Sequence, residues 1–352
     1  MIDSKITFSI EPPSQQWLAR ARRRLDQLTK PLGSLGRLED LAAQMVSIRE
    51  ETFADPMRKA VYVFAADHGV TAEGVSAYPS EVTRQMVLNF LAHGAAINVL
   101  AKAHQVEMNV VDVGVDADFD HTAGLLHHKV RRGTRNMMRE PAMSADELSE
   151  ALDIGLMLAD SANEKSYNLV AVGEMGIGNT TAASAITSAL TREPVDLITG
   201  KGTGLNSEAL KRKCLVIEAV LAKHFDNLPP NPLDVLRCVG GLEIAAMTGF
   251  ILGAARHRIA IVVDGFISTA AAAIAFAIAP QVRGYLFAGH QSEEPGHRAL
   301  LEYVGLLPIL ALKMRLGEGT GAVLAMPILE SALCLYNQMA TFESAGVSEA
   351  KD

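Results

Sequence analysis

Five stretches of the sequence are rich in apolar and β-branched residues on both faces that a strand would present. They lie at residues 60–67, 106–114, 168–174, 258–265 and 284–290, and a weaker sixth lies at residues 125–130. A strand that faces water on one side alternates apolar and polar residues, whereas a strand covered on both sides does not. The pattern therefore predicts a mostly parallel sheet with helices packed on both faces.

Helical segments separate these strands. They lie at residues 82–104, 144–163, 180–190, 207–225, 241–256, 266–278 and 295–304. Regular alternation of strands and helices predicts a doubly wound α/β domain with right-handed crossovers, here over residues 50–310. In such a sheet, ligands bind outside the carboxyl ends of the strands.

The two ends of the chain carry amphipathic helical patterns instead. Residues 14–28, 34–48 and 322–342 have apolar side chains at helical spacing. We predict that residues 1–49 and 311–352 together form a small helical domain beside the sheet.

Composition argues against several kinds of partner. The chain has 352 residues and a net charge of −8, so it has no overall basic field that would attract nucleic acid. Its three cysteines are scattered, which indicates a reducing compartment. No stretch at the N-terminus is typical of a signal peptide, and the apolar segment at residues 265–280 is shorter than the ~20 residues of a membrane span. We expect a cytoplasmic protein that binds neither nucleic acid nor membranes.

Residues 172–186 lead from a predicted strand through a glycine-rich turn into an alanine-rich helix, with Thr180 or Thr181 as the predicted N-cap. Free amides at a helix start favour anions, and glycine lets an anion approach the backbone. The Walker and dinucleotide fingerprints are absent, because no Gly-Lys-Ser/Thr follows and Thr181 replaces the third glycine. The turn is either a phosphate site or a tight connection that binds nothing. A second glycine-rich loop, at residues 200–213, brings lysines that either complete an anion site or are solvated.

Several polar residues stand near predicted strand ends. Asp67 and His68 follow one strand, and His290 and His297 lie at and after another. None of them has the spacing that a metal site requires, so we favour structural hydrogen bonding for all four. Asp264 either holds a ribose hydroxyl or caps the helix that follows it.

The stretch RLGEGTG places one carboxylate, Glu318, between Gly317 and Gly319. Glycine adds no packing and loses backbone entropy on folding, so its use around a single acid needs a reason. One reason is an acid presented to a ligand. The other is a helix junction in which Glu318 only caps the helix after Gly319.

Six segments together resemble one family. Residues 30–42, 66–70, 173–181, 264–268, 289–297 and 315–330 match, in order, motifs of the nicotinate-nucleotide–dimethylbenzimidazole phosphoribosyltransferases. The resemblance implies a Rossmann-like sheet domain with a small helical domain, a homodimer, and no metal or other cofactor. It also implies transfer of the 5-phosphoribosyl group of nicotinate mononucleotide to 5,6-dimethylbenzimidazole, which gives α-ribazole 5′-phosphate and nicotinate.

The resemblance also implies roles for individual residues. Glu318 would be the general base, with Glu174 in a supporting role near the ring or the leaving nicotinate. The implied phosphate and ribose contacts are Gly176, Gly178, Asn179, Thr180, Gly202, Thr203, Lys213, Asp264 and Ser292. The implied base contacts are Tyr78, Ser80, Met86 and Leu316. Tyr78 and Met86 stand where some relatives carry small or polar residues, so adenine, a phenol or another benzimidazole stays open as the acceptor.

The sequence argues against three other functions. A nicotinamide-dependent oxidoreductase would need the intact glycine fingerprint and an acid about 20 residues beyond it. A transferase that uses phosphoribosyl pyrophosphate would carry two adjacent acids followed by Thr-Gly, which this chain lacks. A nucleotide sensor without catalytic activity would have no need of the Glu318 motif.

Overall fold

The computed structural model describes residues 9–50, 57–119, 122–202, 204–225 and 230–348. Within these ranges, seven strands form one parallel sheet in the order β3-β2-β1-β4-β5-β6-β7. The strands are β1 (Lys59–Ala66), β2 (Glu107–Gly114), β3 (Leu125–His127), β4 (Leu169–Met175), β5 (Ala260–Val263), β6 (Leu286–His290) and β7 (Pro308–Leu310). The predicted α/β class and parallel sheet are confirmed.

Helices cover the sheet and connect its strands. They are α1 (Gln15–Gln27), α2 (Arg37–Arg49), α3 (Glu81–Leu91), α4 (Ala96–Ala103), α5 (Ala145–Glu164), α6 (Asn179–Thr191), α7 (Val195–Ile198), α8 (Ser207–His224), α9 (Pro232–Val239), α10 (Leu242–Arg256), α11 (Phe266–Ile278), α12 (Pro295–Val304), α13 (Thr320–Gln338) and α14 (Phe342–Ala345). Short 3₁₀ helices occupy Gly69–Glu73 and Pro280–Tyr285.

All six predicted strands are present. The central strand β1 shows why an apolar run without alternation predicts a strand covered on both faces. Every residue of β1 is buried, because helices pack on both faces of the sheet. The prediction of one helix over residues 82–104 was wrong, since the chain turns between α3 and α4 with a positive φ at His93. Sequence reasoning also missed β7 and α9, which are too short to show a period.

The strand order places a binding crevice at the centre of the sheet. β1 and β4 are neighbours, and successive strands are added outward from them in opposite directions. At such a switch point the connections leave on opposite faces, which opens a crevice at the carboxyl ends. The turn after β4 therefore lies where ligands bind in this fold.

The terminal helices pack together. α1, α2 and α13 contact one another, and the guanidinium Nε of Arg24 donates to the Tyr336 carbonyl at 2.8 Å. However, α13 also packs against β4, β5 and β6, so it belongs to the covering of the sheet as well. The division into two domains at residues 50 and 310 stays a prediction.

Two apolar helical stretches, Glu81–Ala103 and Thr320–Gln338, are long and apolar enough to cross a membrane by length and composition. The first is interrupted between α3 and α4, and the second packs against the sheet and α2. Core helices pass the same test, so these stretches are weak support for a membrane span.

The contact between α5 and α10 leaves no room for a side chain at Gly155. A Cβ atom there would overlap the Ala246 carbonyl oxygen and the Phe250 amide nitrogen. We expect Gly155→Ala to lower the free energy of unfolding by about 3 kcal/mol, because the two helix backbones must separate. Urea unfolding measures this change. Ser149→Ala, on the exposed side of α5, is the control and should change stability by less than about 0.5 kcal/mol; equal effects would contradict the close packing.

Candidate active site

The predicted residues converge on one cavity of about 670 Å³ above the central strands. Its wall comes from the segments that follow β4, β5 and β6, from α3, and from the loop before α13. Ten predicted residues line it: Tyr78, Met86, Glu174, Gly176, Asn179, Thr180, Gly202, Ser292, Leu316 and Glu318. The volume is typical of a small-molecule site, for which ~300–1,000 Å³ is usual.

Other predicted residues lie outside this wall. Gly178, Ser80, Lys213 and Asp264 are not part of the lining. Ser80 stands at the start of α3, and the other three support the wall from behind. Thr203 lies outside the described residues.

The loop that carries Glu318 has three successive residues in the left-handed backbone region. φ is +87° at Gly317, +64° at Glu318 and +88° at Gly319. Glycine adopts this conformation readily, whereas a glutamate in it is uncommon. The glycines therefore permit a turn that aims Glu318 into the cavity, where the residue is only 6% exposed.

The carboxylate of Asp264 holds this turn in place. Its Oδ1 accepts from the amides of Gly321 (2.7 Å) and Ala322 (2.9 Å), and its Oδ2 accepts from Gly319 (3.1 Å). These amides open α13, so the acid satisfies donors that a helix start leaves free. Of the two alternatives for Asp264, the cap on the helix that follows it was wrong, because the side chain caps α13 instead. Both oxygens are engaged and the residue is 1% exposed, and the ribose contact implied for Asp264 stays a prediction.

Two further glycines let the turn approach the sheet. A Cβ atom at Gly173 would lie 2.5 Å from the Glu318 carbonyl carbon, and one at Gly321 would overlap the ring of His290. Side chains at these positions would move the Glu318 backbone away from β4 and β6. The glycines in both motifs are thus explained by close backbone approach.

Buried carboxylates crowd this end of the sheet. Burial raises the pKa of Glu174 to about 8, and the charges of Asp264 and Glu243 add to the increase. Burial also raises the pKa of Glu318 to about 7, although the Ile97 amide at the start of α4 opposes the change. Oε2 of Glu318 has no partner among the described residues. At neutral pH, Glu174 is therefore mostly protonated, whereas Glu318 is substantially ionised with an oxygen free to accept a proton.

The glycine-rich turn after β4 forms the opposite part of the wall. α6 begins at Asn179, and its N-cap is Gly178 with φ +100°. The predicted cap at Thr180 or Thr181 was wrong, because this left-handed position requires glycine. The side-chain amide of Asn179 donates to Glu174 Oε2, which ties the turn to the buried acid.

Lys213 lies behind this turn as a fully buried ammonium. Its Nζ donates to Thr180 Oγ1 at 2.9 Å and to the Gly200 carbonyl at 3.3 Å. Burial lowers its pKa to about 8. A Cβ atom at Gly202 would lie 2.8 Å from Thr180 Oγ1 and 3.4 Å from Nζ, so this glycine keeps the second loop close to the lysine. The turn, the loop and the lysine together form a site suited to an anion.

His297 orders the segment that carries Ser292. The Ser292 amide donates to Nδ1 at 2.8 Å, so the ring proton is on Nε2, which lies 3.0 Å from Thr269 Oγ1. Burial lowers the His297 pKa to about 3, which keeps the ring neutral. The predicted structural hydrogen bonding of His297 is confirmed.

His68 lies beneath the glycine-rich turn after β4 and also has a structural role. Its Nε2 lies 2.6 Å from Glu243 Oε1, and both side chains are buried. Asp67 Oδ2 accepts from the Asp116 amide at 2.8 Å. In the described ranges, no group of three or more His, Cys, Asp or Glu side chains is arranged to hold a metal ion.

Sequence reasoning missed some chemically important residues. Glu243 lies in α10 without a motif around it, and only tertiary packing brings it under the turn. His290, Glu294 and Arg315 line the cavity and belong to segments that were singled out. A motif identifies the segment, but it does not show which side chains point inward.

The fold and the site together define a phosphoribosyltransferase. A sequence model of the phosphoribosyltransferase family matches residues 10–347. Within that class, the chain belongs to the family of nicotinate-nucleotide–dimethylbenzimidazole phosphoribosyltransferases, as its curated relatives show.

The relatives are similar over nearly their whole length. The chain is 53% identical over 338 residues to the nicotinate-nucleotide–dimethylbenzimidazole phosphoribosyltransferase of Geobacter sulfurreducens, covering 96% of each chain. It is 52% identical to that of Geotalea uraniireducens, covering 97% of each chain. The crystal structure of CobT from Thermus thermophilus matches with a TM-score of 0.91 and 48% identity, over 95% of this chain and 100% of that one.

The role of Asp264 in holding the Glu318 turn predicts a loss of stability. We expect Asp264→Ala to lower the free energy of unfolding by about 3 kcal/mol or more, because three amides at the start of α13 lose their acceptor. Urea unfolding measures the change. Asp118→Ala, which removes an exposed surface ion pair with Arg132, is the control and should cost less than about 1 kcal/mol. A loss no larger than that of the control would contradict the anchoring role.

Proposed function

We propose that this enzyme transfers the 5-phosphoribosyl group of nicotinate mononucleotide to 5,6-dimethylbenzimidazole, with Glu318 as general base. The products are α-ribazole 5′-phosphate, from which the lower ligand of cobalamin is built, and nicotinate. The observation that carries the proposal is the presentation of Glu318. An acid with a raised pKa and a free oxygen faces a cavity that also contains an anion-binding turn.

The reaction forms one carbon–nitrogen bond and breaks another. A ring nitrogen of the base attacks C1′ of the ribose opposite the nicotinate, so the β-glycosidic linkage becomes α. The electrons of the broken bond return to the pyridinium nitrogen, and nicotinate therefore leaves without needing a proton. The second ring nitrogen of the base loses its proton to Glu318 as positive charge develops on the ring.

The phosphate of the donor binds, in this proposal, at the turn formed by Gly176 to Thr180 and at the loop of Gly202. The start of α6 lies at this turn, where the helix dipole favours an anion, and Lys213 supplies a buried positive charge behind it. Ser292 lines the same cavity and is a further donor. Since water is largely excluded around Lys213, its attraction for a phosphate is stronger than that of an exposed lysine.

Glu174 has the supporting role. Because its pKa is about 8, it is mainly neutral when Glu318 is ionised, and two adjacent negative charges are avoided. A neutral carboxyl group is also a hydrogen-bond donor, which suits a place beside the ring or the departing nicotinate.

The acceptor base binds between α3 and the Glu318 loop. Tyr78, Met86 and Leu316 line this end of the cavity and give it an apolar surface for a flat ring. Ser80, at the start of α3, stays a predicted contact. An apolar slot separates close analogues by only ~1–3 kcal/mol, so related bases compete with 5,6-dimethylbenzimidazole.

We propose further that the enzyme is a cytoplasmic homodimer that binds neither nucleic acid nor membranes. Tyr78 and Leu316, two of the proposed base contacts at the rim of the cavity, are 54% and 56% exposed in the single chain, so a partner subunit could cover them. The three cysteines of the chain all lie in the described ranges and none of them forms a disulfide, which suits a reducing compartment.

The proposed activity is tested by incubating the purified protein with nicotinate mononucleotide and 5,6-dimethylbenzimidazole, followed by chromatography. We expect equal amounts of nicotinate and α-ribazole 5′-phosphate. Binding of the donor without release of nicotinate, with any benzimidazole, would refute the activity and favour a nucleotide sensor.

Glu318→Gln tests the general base. We expect kcat to fall by about 10²–10⁴-fold, because the amide cannot accept the proton, while the Kd of the donor stays within about threefold. Steady-state kinetics and calorimetric titration measure the two quantities. Glu302→Gln, an exposed position on α12, is the control and should leave both unchanged. Unchanged kcat in the Glu318 variant would remove the role.

The pKa of Glu318 also predicts a pH profile. The base works only when it is ionised, so kcat/KM should decrease by about tenfold per pH unit below about pH 7 and level off above it. Acceptor bases with different pKa values provide the control. If protonation of the acceptor causes the decrease in kcat/KM, the pH of the decrease changes with the pKa of the acceptor. If the pH at which kcat/KM decreases always changes with the pKa of the acceptor, ionisation of Glu318 does not limit the reaction in this pH range.

A further inference from the structure

Glu294 is a buried acid in the cavity wall, and the reaction proposed above assigns it no role. It is 7% exposed, and its Oε2 has no hydrogen-bond partner among the described residues. Its amide donates to Ser292 Oγ at 3.3 Å, which joins it to a predicted phosphate contact. A buried carboxylate oxygen without a partner is costly, and this cost indicates a ligand that supplies the missing hydrogen bond.

The surroundings of Glu294 place it at the phosphate end of the cavity. Gly200 lies directly against Oε2, so closely that a Cβ atom there would overlap it. The Gly200 carbonyl accepts from Lys213, whose other hydrogen bond goes to Thr180 rather than to Glu294. The carboxylate raises the pKa of Lys213 against the effect of burial, so the two charges are near each other.

We propose that Glu294 recognises the ribose of the donor by accepting a hydrogen bond from its 2′- or 3′-hydroxyl group. This inference rests on the proposed function. Nicotinate mononucleotide offers a phosphate, a ring carboxylate, a pyridinium ring without an N–H group, and two ribose hydroxyls. A carboxylate repels the first two, and the ring has no proton to donate. The hydroxyls are the hydrogen-bond donors of the molecule, and they lie on the same ribose that carries the 5′-phosphate.

Glu294 suits this contact better than Asp264 does. Both acids are buried close to the site, but the Asp264 oxygens already accept from three backbone amides. Glu294 has a free oxygen and lines the cavity. A carboxylate that binds a ribose hydroxyl is the usual device of nucleotide-binding α/β folds.

The proposal is tested with the 2′-deoxy and 3′-deoxy analogues of nicotinate mononucleotide. In the wild-type enzyme, we expect loss of the recognised hydroxyl to weaken donor binding by about 10–100-fold, as for a hydrogen bond to a charged group. We define the preference as the ratio of the Kd of the deoxy analogue to the Kd of the ribonucleotide. In the Glu294→Gln variant, this preference should fall by about tenfold. Calorimetric Kd values are compared, because removing a hydroxyl also changes the reactivity of the glycosidic bond.

Two comparisons separate recognition from a structural effect. Glu293→Gln changes the same charge at the adjacent exposed position and should keep the wild-type preference. Glu294→Asp keeps the charge on a shorter side chain and should keep part of the preference. If Glu294 had only a structural role, its replacement would weaken binding of nicotinate mononucleotide and of both deoxy analogues equally and would leave the preference unchanged. That result would overturn the proposal.

The wild-type enzyme alone also decides the question. If both deoxy analogues bind within about twofold of the ribonucleotide, no hydroxyl is recognised and the proposal fails, whatever the variants do. Turnover of the ribonucleotide with 5,6-dimethylbenzimidazole is measured on the same samples. Absence of that turnover in the wild-type enzyme would refute the proposed function. Normal turnover in a wild-type enzyme that shows no preference for either hydroxyl would refute only the role of Glu294.

Discussion

The hydrogen bonds from the start of α13 to the carboxylate of Asp264 are the contact on which the site depends. They join the carboxyl end of β5 to a helix that follows much later in the chain. Between the two lies the strained turn of Glu318, with its left-handed backbone at three successive residues. A conformation of this kind persists only when its surroundings enforce it. Asp264 and the glycines that allow close approach provide that enforcement.

Several buried acids lie around this contact, and the structure accommodates their charges in different ways. Glu174 stays mainly neutral, and Asp264 is stabilised by backbone amides. Glu243 is paired with His68 on the far side of the turn. Of the buried acids with an oxygen that has no hydrogen-bond partner among the described residues, Glu318 and Glu294 line the cavity, whereas Asp67 and Glu243 do not. At Glu318 and Glu294, a bound substrate can supply the missing hydrogen bond.

The sheet explains why these groups meet. Parallel strands end at the same edge, and the switch point between β1 and β4 opens a crevice there. The turn after β4 contributes the proposed anion site, the segment after β6 contributes Ser292 and Glu294, and the loop before α13 contributes Glu318, the proposed general base. Each element brings one or two groups, and none of them forms a site by itself.

The sequence by itself determined six of the seven described strands, most of the helices and the segments that carry chemistry, because apolar periodicity and glycine-rich turns are local properties. It also indicated Glu318, whose glycine neighbours have a local backbone cause. Only the tertiary structure decided that Asp264 caps α13, that Gly178 rather than a threonine caps α6, and that Glu243 lies beneath the turn. The contacts of Asp264 and Glu243 join residues that are distant in the chain, and their partners depend on how helices and strands pack. Orientation has the same origin: a motif shows that Glu294 is near the site, but packing alone decides that its free oxygen is buried there.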